Sequence, residues 1–94
     1  MAVVLLNLKS GVLTHYGKNG ELKCCWSGCE ESDLDCLTLD HVHDNGAAEK
    51  RAGRSGTTLL RHLVRESFPI GYQTLCWNHQ WKKELQRRRN SHGR

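Results

Sequence analysis

The chain has 94 residues, with 14 Lys and Arg against 10 Asp and Glu, six His and five Cys; a chain this short forms one domain with a modest core, so a metal or disulfide staple adds stability that packing alone does not supply. The apolar run Val3 to Leu6 falls far short of the roughly 20 residues that cross a bilayer, and the first residues lack the basic, apolar and small-residue order of a secretory signal. An odd number of cysteines argues against a complete disulfide framework and for thiolate-bound zinc in a reducing, intracellular setting.

From Val4, the apolar positions Leu5, Leu8, Val12, Leu13 and Tyr16 recur at nearly helical spacing, and Gly17 is placed to end the segment; this predicts a first helix. Gly11 weakens its middle, and a pair of short strands is the alternative. Residues 17–36 are rich in Gly, Cys, Ser, Asp and Glu without a sustained apolar period, which reads as a knuckle ordered by something other than core packing. Leu37-Thr38-Leu39 gives a short strand delivering Asp40-His41-Val42-His43, followed by the turn formers Asp44-Asn45-Gly46. Residues 47–56, with Lys50, Arg51 and Arg54, suit an exposed basic loop. From Thr57, Leu59, Leu60, Leu63 and Val64 line one helical face while Arg61, His62 and Arg65 lie elsewhere, and this second helix should stop at Phe68-Pro69, because the residue before proline disfavours the α region. Gly71 to Leu75 reads as a second strand leading into Cys76, and a last helix runs through Trp77, Trp81 and Leu85 into a basic tail over 84–94. Trp77 and Trp81 are read as packing residues rather than base-stacking platforms, and His15, His62 and His92 as structural or solvent-facing. Residues 1–81 carry 8 Lys and Arg against 9 Asp and Glu, whereas residues 82–94 carry Lys82, Lys83, Arg87, Arg88, Arg89 and Arg94 against Glu84 alone. The positive field therefore lies at the C-terminal end, where it would suit a phosphate backbone or serve solubility.

Two constellations carry chemistry. Cys24-Cys25-Trp26-Ser27-Gly28-Cys29 offers two thiolates at either of two separations, and Cys76-Trp77-Asn78-His79 offers a thiolate and an imidazole two residues apart. Together they make a four-ligand zinc set of Cys24, Cys29, Cys76 and His79, structural because four protein ligands leave no open position for substrate. Gly28 allows the sharp turn that aims both sulfurs at one ion. Cys24 is preferred to Cys25 because its spacing resembles the wide knuckle of some zinc fingers. Cys36 reads as an ordinary small buried residue. The second constellation is Asp40-His41-x-His43. Hydrolysis of a phosphodiester needs a water deprotonated near neutral pH and a cation at the phosphate; histidine serves the first need and a hard-cation carboxylate the second. On a continuing strand, residues 40 and 41 point to opposite faces and 41 and 43 share one.

The order of these pieces resembles the HNH, or His-Me finger, endonucleases, particularly short phage proteins and the recombination endonuclease VII group. The matching stretches are Val12 to Gly17, the cysteine knuckle, Leu37 to Gly46 and Phe68 to Lys83, most of the chain. The resemblance implies a small α+β fold: a ββα-metal core of two short strands and a helix, a structural zinc site and flanking helices in a single domain over 1–94. It implies that Asp40 binds a catalytic Mg2+ or Mn2+, that His41 is the general base, that His43 assists at the phosphate, and that the helix enters the DNA minor groove. This chain departs from the usual Leu-Cys-x-Asn-Cys-Asn at two places. His79 replaces the fourth cysteine, which zinc tolerates, and Gln80 stands where a second catalytic-metal ligand is usual; its amide oxygen still suits magnesium but reaches one methylene further. Arg51, Arg54, Lys82, Lys83, Arg87, Arg88 and Arg89 would contact DNA phosphates without reading bases. The leading expectation is an intracellular nuclease that nicks or cuts DNA, in the host cytoplasm if phage-encoded, with no membrane partner; a homodimer or sequential nicks would be needed to cut both strands. The alternatives are a zinc-stabilised DNA-binding module that has lost cleavage and a zinc-ribbon adaptor that binds protein.

Overall fold

The computed structural model describes residues 2–43, 51–54 and 56–92, with side chains described over 7–43, 51–54 and 56–89. In chain order the elements are helix α1 (Ala2–His15), strand β1 (Leu37–His41), helix α2 (Gly56–Arg65), strand β2 (Tyr72–Cys76) and helix α3 (Trp77–His92), with short 3-10 turns at Lys18–Gly20 and Leu34–Cys36. Among the described residues the fold is thus a small α+β arrangement of three helices and one two-stranded antiparallel sheet. The turn expected at Asp44-Asn45-Gly46 and most of the loop over 47–56 fall outside the described residues.

The first helix forms across Gly11, which is exposed and has open space where a side chain would be. Its end depends on Gly17: a Cβ there would collide with the Glu21 carbonyl oxygen as the chain doubles back. Adjacent residues of α1 serve two parts of the core. Val12 is fully buried with Leu59 and Leu63 of α2, and Leu13 packs with Cys24, Leu37, Leu75 and Cys76.

On α2 the expected apolar face is narrower than the sequence pattern. Leu59 and Leu63 are buried, Leu60 is half-buried and Val64 is exposed. The helix also ends at Arg65, before the expected stop at Phe68-Pro69. The reason is a left-handed closure: Ser67 N–H donates to Val64 O at 3.1 Å and Phe68 N–H to Leu63 O at 2.7 Å, the paired bonds of a Schellman motif. Ser67 and Phe68 take φ of 60° and 57° to make it, and Phe68 packs against the Val12 cluster in return.

In the sheet, Leu37 pairs with Cys76, Thr38 with Leu75, Leu39 with Thr74, Asp40 with Gln73 and His41 with Tyr72. The outer edge of β2 is covered, since Thr74 N–H donates to Tyr16 O at 3.1 Å and Cys25 N–H donates to Thr74 O at 2.8 Å. An edge closed in this way cannot recruit another strand. Cys76 ends β2 and Trp77 begins α3 with no intervening loop, so the sheet fixes where the last helix points. Among the described residues no helix is long and apolar enough to cross a membrane.

Candidate metal centre and the adjoining Asp40–His41 site

The loop after α1 brings Cys24 and Cys29 to the junction of β2 and α3. Cys24 N–H donates to Glu31 O at 3.0 Å, Cys29 N–H donates to Trp26 O at 3.0 Å, and Gly28 turns the chain with φ of 81°. The Lys18 ammonium ties the knuckle down by donating to Cys29 O at 2.7 Å. From the other side come Cys76, the last residue of β2, and His79 in the first turn of α3.

The four donor atoms of Cys24, Cys29, Cys76 and His79 all lie within 4.8 Å of one another. His79 Nδ1 stands 3.1 Å from Cys76 Sγ and 3.7 Å from Cys24 Sγ, and Cys29 Sγ is 4.0 Å from Cys76 Sγ. A tetrahedron built on Zn–S and Zn–N bonds of about 2.3 and 2.0 Å has edges of roughly 3.5–3.8 Å. The separations bracket that value, and the sulfurs are about twice a disulfide bond length apart. These residues can hold a metal ion, and their donor chemistry is compatible with structural zinc.

Charge at the sulfurs is prepared unevenly. Burial pushes the Cys24 thiol up to about 11, although the backbone N–H groups of Cys76 and Trp26 pull the other way. The Cys29 thiol is lowered, chiefly by the backbone N–H of Glu31. A metal ion must therefore displace the Cys24 proton at neutral pH. Trp26 stacks on the His79 ring at a centroid distance of 4.8 Å and an interplanar angle of 12°, holding the imidazole so that Nδ1 faces the sulfurs. Cys25 turns away and donates to Tyr16 O at 3.2 Å, which leaves Cys24 in the ligand cluster, as the spacing argument preferred. Cys36 is half-buried and has no place in the cluster.

No family model, curated protein or solved structure matches this chain. Asp40 and His41 end β1, and strand alternation sends them to opposite faces. Asp40 is buried at 7% exposure; its Oδ2 accepts from Gln73 Nε2 at 2.8 Å and pairs with Lys83 Nζ at 2.9 Å. Lys83 also donates to His41 O at 2.7 Å, so one ammonium bridges the carboxylate and the next residue's backbone. The His41 ring lies 5.2 Å from Tyr72, and its Nε2 is buried without a hydrogen-bond partner among the described residues. His43 is exposed in the turn after β1, so the strand ends before His41 and His43 can share a face.

Gln80 is half-buried on α3, three residues before Lys83 and thus beside it on the helix surface. No hydrogen bond joins it to Asp40 among the described residues. Arg51, Lys82 and Arg89 are exposed. Arg87 and Arg88 are exposed and pair with Glu84, at 2.5 Å and 3.0 Å, and Arg54 is half-buried with contacts of its own. Lys83 alone of the predicted phosphate contacts is drawn into the site. Sequence reasoning missed Gln73 and Trp26. Gln73 was accessible from the register, since pairing Leu37 with Cys76 puts residue 73 opposite Asp40; Trp26 lies inside the knuckle but nothing in the spacing pairs it with His79. The two tryptophans of α3 are a correction: Trp77 is 62% exposed and Trp81 54%, so neither is a packing residue, because α3 lies against the sheet and knuckle through His79 and Lys83 instead.

Proposed function

We propose that this chain is a metal-dependent DNA endonuclease of the His-Me finger type, hydrolysing phosphodiester bonds with water activated by His41. The observation that carries the reading is His41 Nε2, a buried ring nitrogen without a partner one residue after a buried carboxylate that already attracts a cation. Leaving such a nitrogen unpaired costs about 1–3 kcal/mol, and an unpaired polar group of this kind calls for a role beyond packing. Neutral His41 takes a proton from water, the water oxygen bonds to phosphorus, and the bond to the leaving sugar oxygen breaks. His43, exposed in the adjoining turn, assists at the phosphate.

The Lys83 ammonium on Asp40 supports the reading, because it takes the place that a metal cation would occupy at this carboxylate. Asp40 and the amide oxygen of Gln80 would hold Mg2+ or Mn2+ there, provided Lys83 leaves Oδ2. Such an ion, when bound, supplies charge stabilisation at the phosphate and the leaving oxygen. Lys83, once released, joins Arg51, Arg54, Lys82, Arg87, Arg88 and Arg89 in contacting the DNA backbone. The Cys3His group is read as structural zinc that fixes the β2–α3 junction beside this site. The proposed setting is intracellular, with DNA as the partner and single-strand nicking as the outcome for a monomer.

A second reading keeps the fold and loses cleavage: a zinc-stabilised DNA-binding module. The Lys83–Asp40–Gln73 contacts favour it, because they neutralise the carboxylate without a divalent ion. Incubation of supercoiled plasmid with the zinc-loaded protein and Mg2+ or Mn2+ separates the two. Nicking supports the nuclease; binding without nicking under either ion supports the module.

A further inference from the structure

The exposed tryptophans of α3 have no role in the chemistry proposed above. At 100° per residue, Trp77, Trp81, Glu84 and Arg88 fall within an arc of roughly 60° on one side of the helix, while His79 and Lys83 fall on the other. One side of α3 thus serves the metal group and Asp40, and the opposite side carries two large rings, 62% and 54% exposed. The Arg88 guanidinium lies 5.3 Å from the Trp81 ring centroid and also donates to Glu84 at 3.0 Å. Glu84 is the single carboxylate on this surface, and it is held between Arg87 and Arg88.

We infer that this face of α3 binds single-stranded DNA, with bases stacking on Trp77 and Trp81 and phosphates meeting Arg88 beside the rings and Arg87 and Arg89 on its flanks. The inference rests on the proposed DNA reading and deepens it by naming the form of DNA. Charge chooses the occupant: Arg88 lies on this side, and with Lys82, Arg87 and Arg89 around its flanks the exposed cations over 82–89 are four against Glu84, which suits a polyanion and repels a basic partner, a second copy of this helix included. Spacing chooses the strand form. Residues four apart on a helix are separated by about 6 Å along its axis, whereas stacked duplex bases rise about 3.4 Å. The two rings therefore suit adjacent bases of an unstacked strand, and a duplex hides its base faces from both. Flat aromatic platforms beside a cationic track are how proteins bind single strands without reading sequence. Trp81, with a cation already over its ring, places stacking and phosphate contact within one nucleotide of each other.

The test compares an oligothymidylate and a duplex of equal length as probes, by fluorescence anisotropy, for the zinc-loaded wild type and for Trp77→Ala, Trp81→Ala and the double variant. Both residues are exposed, so the variants keep their fold, which zinc content and circular dichroism verify. The expected result is a loss of oligothymidylate affinity of roughly 5- to 160-fold for each ring removed, partial rescue by Trp81→Phe, and duplex affinity within about twofold of wild type. Unchanged oligothymidylate affinity in the double variant, with duplex binding intact, overturns this inference and leaves the DNA reading standing. Equal losses for both probes overturn it as well, since the rings would not then distinguish the strands. Failure of the wild type to bind either probe overturns both the inference and the DNA reading.

Discussion

Cys24 and Cys25 are neighbours with opposite fates, and the difference lies in two hydrogen bonds. Cys24 Sγ receives the Cys76 N–H at 3.3 Å and faces the ligand cluster; Cys25 Sγ points back to Tyr16 O. Replacing Cys24 with Ser should abolish stoichiometric zinc, whereas Cys25→Ser should retain it at a cost of about 1 kcal/mol, as metal analysis and thermal unfolding would reveal. Zinc retained by Cys24→Ser and lost by Cys25→Ser would reverse the assignment. Glu84 gives a second test at this scale. Hydrogen bonds from Arg87, then Arg88, lower its carboxyl from 4.5 to about 2. A lowered folded value means stability that is present above the unfolded value and lost as pH falls from 4.5 through about 2. The helical signal of wild type should therefore exceed that of Glu84→Gln at pH 5, and the gap should close across that window; a gap independent of pH would show that the ion pairs contribute nothing to the helix.

Much of the site was legible at the residue scale because metal-ligand spacing is a local pattern. Cys24, Cys29, Cys76 and His79 stand out as two short clusters whatever the fold between them. Lys83 on Asp40 was not legible, since it depends on the direction in which α3 leaves Cys76, a property of the β2–α3 junction. Gln80 differs again: its reach to the proposed ion at Asp40 would depend on where Lys83 goes, which no sequence pattern gives.

At the scale of elements, the helices and strands were legible from period and punctuation, and their ends were less so. The α1 pattern survives Gly11 because Leu8, Val12 and Leu13 on either side of it drive burial of the helix's inner face. Gly11 is exposed with open space around it, so Gly11→Ala should stabilise the fold by about 0.5–1 kcal/mol. Gly17→Ala should destabilise it by more than that, because the added methyl meets the Glu21 backbone. Chemical denaturation of the two variants reads both signs in one experiment, and two shifts of the same sign would contradict the turn geometry. The early end of α2 was missed because its cause is the Schellman closure at Ser67 and Phe68, two residues that seldom adopt positive φ. The tryptophans of α3 were misread for a related reason: a four-residue apolar repeat marks a stripe on a helix, and only the neighbouring elements decide whether the stripe meets core or solvent.

At the scale of the whole molecule, two small buried clusters among the described residues hold the domain together, one around Val12, Leu59 and Leu63 and one around Leu13, Leu37 and Leu75, with Leu39 packed against both. The second merges with the Cys3His group through Cys24 and Cys76, so a metal ion held there would couple directly to core packing. This coupling explains how a 94-residue chain can hold a buried carboxylate, an unpaired imidazole nitrogen and a bridging lysine at one strand end. Such groups cost stability individually, and a rigid junction is what keeps them in register.

The central claim is that His41 is the base of a nuclease, and its most direct test is the rate of supercoiled plasmid nicking by zinc-loaded wild type and His41→Ala, with DNA affinity measured alongside. The account predicts nicking that falls roughly 10²–10⁴-fold in the variant, with zinc content and DNA affinity unchanged. Nicking by His41→Ala at the wild-type rate would contradict it.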